Sequence, residues 1–258
     1  MRSLFTLVLV TLWLALATAG QAFAFFGQSL LPGHRGQAGQ ITSPAVEAVQ
    51  AATQRLFGSE RHMGVSEAAA FVRQAPADDL ATVLAAAPPK RRAAVFLDML
   101  VLRGSIPEPQ AKTVQPLIER LFRQERFIAW ALRHERQAQG ALASLQQGRQ
   151  TFAGALIYNA RILDYRRTLV QHVDLSDALR RIRDNALAPN DSEGWKVFGN
   201  YERLLPQRPR GWYREMRIPT RGLRGPGPQR LVYGRGGEVY WTPDHYQTFF
   251  PIEVEADE

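Results

Sequence analysis

Between residues 197 and 252 stand one glutamate, Glu215, that can serve as a base and one histidine, His245, that can serve as an acid. Ten Lys or Arg lie between Lys196 and Arg235, against only two carboxylates. A group that takes a proton, a group that gives one, and cations placed where anionic charge develops are the parts of acid–base cleavage of a polyanion. The chain has no cysteine, so thiolate metal sites, a cysteine nucleophile and a disulfide framework are excluded. His134-Glu135 opens like a zinc-protease helix, but Ala138 stands where the second histidine is needed, so an exposed charged face is expected there. Neither metal nor cofactor is expected.

The positive charge is local. The whole chain of 258 residues carries a net +8, and the stretch from Lys196 to Arg235 accounts for that excess, while Glu253 to Glu258 carries four acids. Hydrophobic residues at 45% and charged residues at 22% lie in the globular range, so each part of the chain can build a core.

The elements that must position Glu215 and His245 follow from patterning. Residues 1–24 read as a secretory signal: Arg2, an apolar run from Leu4 to Ala17, and the small-residue site Ala22-Phe23-Ala24. No second long apolar segment follows, so no stable membrane span is expected once the signal is removed, and the product is expected to be secreted or periplasmic. Residues 25–41, with four glycines and a proline, read as a flexible linker.

Residues 42–165 read as helical. Ser43 caps a helix with Pro44 at its first position and Gly58 at its end; further helices are expected over 66–74, 78–87 and 90–103. Beyond Val114, two stripes with steps of four and seven follow: Leu117, Leu121, Ile128 and Leu132, then Phe152, Leu156, Leu163 and Val170. Phe122, Phe127, Trp130 and Phe152 are assigned to the core, and the stretch 137–150 to a weak or broken helix. Nothing in this half carries recognisable chemistry.

Past Asp174 the texture changes. A short helix over 176–184 and a turn at Pro189-Asn190-Asp191 precede period-two alternation through Trp212, Arg214, Met216 and Ile218, with Tyr213, Glu215 and Arg217 on the opposite face. Gln229–Tyr233 and Glu238–Thr242 flank Arg235-Gly236-Gly237, a hairpin turn. Trp212 and Trp241 are assigned to the core. The expected fold is α+β: a helix and an antiparallel sheet of four or five strands over 166–254, preceded by an all-α region, with an acidic tail at 255–258.

Five pieces then align in order: Val197-Phe198-Gly199-Asn200-Tyr201-Glu202 with Leu205-Pro206, Trp212-Tyr213-Arg214-Glu215, Gly222-Leu223-Arg224, Arg230-Leu231-Val232-Tyr233, and Asp244-His245-Tyr246-Gln247-Thr248-Phe249. Together they resemble the barnase-like guanyl-specific bacterial ribonucleases. The resemblance implies a microbial ribonuclease fold and metal-free cleavage of single-stranded RNA after guanosine, through a 2′,3′-cyclic phosphate. It implies Glu215 as general base, His245 as general acid, and Arg224 and Arg230 on the phosphate, with Arg221 as substitute for Arg224. Glu202 would read guanine from a loop shaped by Asn200, and Phe198 and Tyr246 would flank the base or ribose. Two departures stand out: Tyr201 occupies a position where the family commonly has arginine, and the spacer 225–229 is longer than the family pattern. The expected function is thus an exported endoribonuclease, weighed against a non-catalytic cationic envelope or partner-binding protein that keeps only the fold. A third reading is an antibacterial toxin of the same chemistry, whose partner would be a small acidic protein inhibitor.

Overall fold

The structure is a computed structural model and describes residues 42–57, 63–165, 167–184 and 196–254. The expectations for the signal, the linker, the stop at Gly58, the turn at 189–191 and the acidic tail lie outside these residues.

The first part is helical, as expected: α1 (Pro44–Phe57), α2 (Val65–Gln74), α3 (Ala77–Ala86), a 3-10 turn (Pro89–Arg91), α4 (Arg92–Leu102), α5 (Glu108–Glu119), α6 (Gln124–Arg133) and α7 (Glu135–Gln146). Ser43 does cap α1, its Oγ accepting from Val46 N–H at 3.4 Å. The stripe from Leu117 to Leu132 runs over two helices, because Arg123 adopts a left-handed φ of 56° between α5 and α6. The stretch read as a broken helix forms α7. Phe96, Phe127, Met99, Ile118 and Leu142 are fully buried in one core, and Trp130 joins them. Phe122 departs from expectation. It is 39% exposed and stacks on His172 at a centroid distance of 5.9 Å. Glu135 also departs, being drawn inward by an ion pair to Arg103 and by the hydroxyl of Ser105, both at 2.5 Å.

The helical reading fails after residue 150. Here the chain forms β1 (Thr151–Ala153), β2 (Leu156–Asp164) and β3 (Arg167–Asp174), an antiparallel sheet in that order. Phe152, Leu156, Leu163 and Val170 therefore sit on three strands rather than on one helix. The period-two signal was hidden by a bulge: register shifts between Ile157 and Ala160, and Asn159 takes a φ of 51°. Leu156 and Tyr158 point into the helical core, whereas Ile157, Ala160 and Ile162 face a second core, so β2 is shared between the two. A division of the chain at 165/166 would separate β2 from the strand with which it pairs.

The second core lies between β2, β3, α8 (Ser176–Arg183) and one face of a five-stranded antiparallel sheet. That sheet has the order β4 (Lys196–Val197), β5 (Tyr213–Arg217), β6 (Arg230–Gly234), β7 (Val239–Thr242), β8 (Phe250–Ile252). Leu175, Leu179 and Ile182 pack on Met216, Ile218, Leu231 and Trp241. The β6–β7 hairpin turns where expected, with Gly237 at φ 88° and its N–H on the Gly234 carbonyl at 3.0 Å. Trp241 is fully buried; Trp212 is not, and lies at the edge of a smaller cluster, its indole N–H donating to Glu238 at 2.6 Å.

Two isoleucines of β2, Ile157 and Ile162, are completely buried in the second core. A fragment starting at Arg167 lacks both and is expected to be about 3–6 kcal/mol less stable than one starting at Arg149. Urea unfolding of the two fragments measures this, and coincident midpoints would show that β2 adds nothing.

Candidate active site

Alternation along β5 divides its side chains. Met216 turns toward α8, while Tyr213, Glu215 and Arg217 share the other face. The register Glu215↔Val232 and Arg217↔Arg230 places Arg230 on that same face, diagonal to Glu215. Two arginines directly opposite one another repel. An anion between them would relieve the repulsion, and Arg217 is a member of this cluster that the sequence resemblance did not single out.

Arg230 is only 6% exposed. Its Nη1 donates to the carbonyls of Pro226, Gly227 and Gln229 at 3.3, 2.7 and 2.8 Å, so the guanidinium holds the long spacer loop. The same loop is tied from below by Gln229, fully buried, which accepts from the indole of Trp241 at 3.1 Å and donates to Thr220 at 3.0 Å. Gly227 adopts a φ of 55°, and a Cβ there would collide with Thr220 Oγ1. The extra length of the spacer is thus absorbed in a bonded loop. It carries Arg224 to a cleft of about 730 Å³, where Arg224, Arg230 and His245 meet. Arg221, the substitute, does not line that cleft, and its backbone is held by Gln171 of β3 at 2.6 and 3.2 Å.

His245 and Tyr246 both have left-handed backbone, with φ of 57° and 74°. Two consecutive non-glycine residues in this region are strained and persist only where surroundings hold them. Asp244 does so. Its Oδ1 accepts from Thr242 Oγ1, Gln247 N–H and Thr248 N–H at 3.0, 3.0 and 2.9 Å, and its Oδ2 from Thr248 Oγ1 at 2.6 Å. Thr242 Oγ1 accepts from Tyr246 N–H at 2.9 Å, and His245 N–H donates to Pro228 at 3.1 Å. In the sequence Asp244 opens the motif that carries His245. Its role could be read there from an aspartate followed within four residues by a threonine, a turn-forming pattern.

The Tyr246 phenol lies against Glu215. Burial, reinforced by that carboxylate, pushes its pKa up to about 12, so it remains a neutral donor. Among the described residues Glu215 Oε2 is buried and has no hydrogen-bond partner, although the Tyr246 phenol bonds to the same carboxylate. Tyr246 also contacts the guanidinium of Arg230, 5.9 Å from its ring centre. The rings of Phe198 and Tyr246 are 5.3 Å apart and tilted by 32°, closer than the two stacking distances an inserted base needs, so they form one wall instead of flanking a base between them.

Asn200 is engaged within its own loop. Its side chain closes the following loop, donating to Leu205 carbonyl at 2.8 Å and accepting from Leu205 N–H at 3.1 Å, while Tyr213 hydroxyl donates to Pro206 at 2.9 Å. Glu202 stands exposed at the tip of that loop. Tyr201, 85% exposed, folds its ring over Gly199, where a Cβ would collide with it.

A ribonuclease family model matches residues 167–253, which contain every one of these side chains. The fold and the site therefore define a ribonuclease domain. The chain is 36% identical over 81 residues to guanyl-specific ribonuclease Sa of Kitasatospora aureofaciens, covering 31% of this chain and 83% of that protein. It is 34% identical over 76 residues to guanyl-specific ribonuclease St of Saccharopolyspora erythraea, covering 30% and 74%. It belongs to the guanyl-specific ribonucleases. Among solved structures, ribonuclease Sa2 with mononucleotides is 39% identical, with 30% of this chain and 80% of that one covered and a TM-score of 0.28. Sa2 with guanosine-2′-cyclophosphate is 41% identical, with 31% and 86% covered and a TM-score of 0.27.

Asp244→Ala removes the acceptor for four donors and is expected to lower stability by about 3 kcal/mol. It should also reduce kcat more than it raises KM, because His245 loses its fixed backbone. Urea unfolding and steady-state kinetics on the same variant test both parts.

Proposed function

We propose that this protein is an exported, metal-independent endoribonuclease that cleaves single-stranded RNA on the 3′ side of guanosine. Glu215 takes the proton from the ribose 2′-hydroxyl, whose oxygen attacks the adjacent phosphorus; His245 gives a proton to the departing 5′-oxygen. The product is a guanosine 2′,3′-cyclic phosphate. The two groups then exchange roles, His245 drawing a proton from water and Glu215 returning one to the 2′-oxygen. Arg230 and Arg224 hold the phosphate, the planar fork of arginine matching two of its oxygens. Charge that grows on those oxygens in the transition state is offset where water is partly excluded.

The observation that carries this reading is the placement of a donor-free carboxylate oxygen of Glu215 on the sheet face that also carries the buried Arg230. A module that only binds has no need of an unpartnered buried acceptor beside a cation. Glu202 is assigned to guanine, and the Phe198–Tyr246 wall to one side of the base or ribose. Asn200 shapes the loop. Tyr201 supplies a ring in place of the family's guanidinium, so its contact to guanine or ribose is by stacking.

Export rests on the signal pattern of residues 1–24. No described helix is long and apolar enough to cross a membrane. The helices α1–α7 support β2, and among the described residues they contribute none to the cleft. The arginine-lined cleft also suits a small acidic protein inhibitor as a second partner, by charge complementarity.

The test is cleavage of a GpN dinucleotide in EDTA by the full chain. Glu215→Ala and His245→Ala are each expected to lower kcat about 10²- to 10⁴-fold, with non-additive loss in the double variant. Full activity in both single variants would remove the assignment, and loss of activity in EDTA alone would remove its metal-independence.

A further inference from the structure

The cleft beside His245 has one wall that lies ahead of residue 167, where the ribonuclease match begins. Leu163, Asp164 and Tyr165, at the end of β2, line it together with Arg224 and His245. This wall is bonded to the catalytic loop: Leu163 N–H donates to the Pro243 carbonyl at 3.2 Å, two residues before His245. Tyr165 stands at the rim with a φ of 50° and 97% of its surface exposed. An aromatic ring so placed adds nothing to the core, and its burial against a ligand would be favourable.

The chemistry says what would reach it. Under the reaction proposed above, on which this inference rests, guanine lies at Glu202 and the Phe198–Tyr246 wall, and none of these residues lines the cleft. His245 protonates the 5′-oxygen of the departing nucleoside, so that nucleoside leaves on the side of His245, into the cleft. A volume of about 730 Å³ is more than a phosphate requires and is sufficient for a nucleoside beyond it. We propose that Tyr165 is a stacking platform for the base of the leaving nucleoside, and that the end of β2 thereby forms a downstream subsite of the ribonuclease site. The adverse group in this wall is Asp164, and its charge is offset by Arg167, whose Nε is 3.2 Å from Oδ2. Stacking of this kind tolerates any base but favours the larger ring system, so a purine at the departing position is preferred.

The experiment compares kcat/KM of the full chain on GpA, GpU and guanosine 2′,3′-cyclic phosphate, the last of which has no leaving nucleoside. Tyr165→Ala is expected to lower the value for GpA about tenfold, to lower that for GpU less, and to leave cyclic phosphate hydrolysis unchanged, while Tyr165→Phe retains the original values. The ring is almost wholly exposed, so its truncation does not threaten the fold, and the cyclic phosphate rate is an internal control for the catalytic groups. Unchanged GpA cleavage in Tyr165→Ala, or an equal loss on all three substrates, would overturn the subsite and leave the ribonuclease reading standing. No turnover of any of the three by the unsubstituted chain would overturn that reading, and the subsite with it.

Discussion

A buried carboxylate, Asp244, holds the part of this molecule on which its chemistry depends. Two consecutive residues with side chains, His245 and Tyr246, occupy left-handed backbone, a conformation the chain would leave if it were free to do so. Four hydrogen bonds to one carboxylate, and a fifth from Tyr246 N–H to the threonine that shares it, outweigh that tendency. The strain is stored at His245, which shares a cleft with Arg224 and Arg230. It is maintained by donors and acceptors within residues 242–248, together with the bond from His245 N–H to the Pro228 carbonyl.

Around this loop the other parts of the site are held by the same device, a polar side chain spent on backbone. Arg230 uses one nitrogen to gather three carbonyls of the spacer, Asn200 closes the loop carrying Glu202, and Gln171 grips Arg221 from β3. Long loops would otherwise lose too much conformational entropy on ordering to position a charged side chain. Satisfying their backbone groups with side chains, two of them anchored on strands, Arg230 on β6 and Gln171 on β3, ties the loops to the sheet framework.

The region ahead of the ribonuclease domain takes on a physical role in this arrangement. Its helices build a core of their own, and β2 divides its side chains between that core and the one beneath the catalytic sheet. Alternation puts Leu156 and Tyr158 in one core and Ile157 in the other, and the bulge at Asn159 shifts the parity so that Ala160 and Ile162 also face the second. Through β2 the helical part is continuous with β3 and, by the Leu163 to Pro243 bond, with the loop that bears His245.

Much of the C-terminal part was legible from sequence. The strands around Glu215 and the hairpin at Arg235-Gly236-Gly237 follow from period-two alternation and from glycines that tolerate positive φ, both of which are local. Glu215, His245 and Arg230 stand out in the chain because their neighbours carry the family pattern, and the fold does bring Arg230 and His245 to one cleft. The strands between 151 and 174 were not legible as strands. Their bulge breaks the alternation, and apolar residues on three separate strands imitate a helical stripe, although the Ile, Tyr, Val and Thr content did favour strands. Tertiary structure alone decided that Asn200 closes its loop, that Phe198 and Tyr246 touch, that Arg224 and not Arg221 reaches the cleft, and that Tyr165 overlooks it. Chemistry was determined locally, by residue type and short-range pattern, whereas the shape of the site depends on contacts between segments distant in sequence, which no short-range pattern encodes.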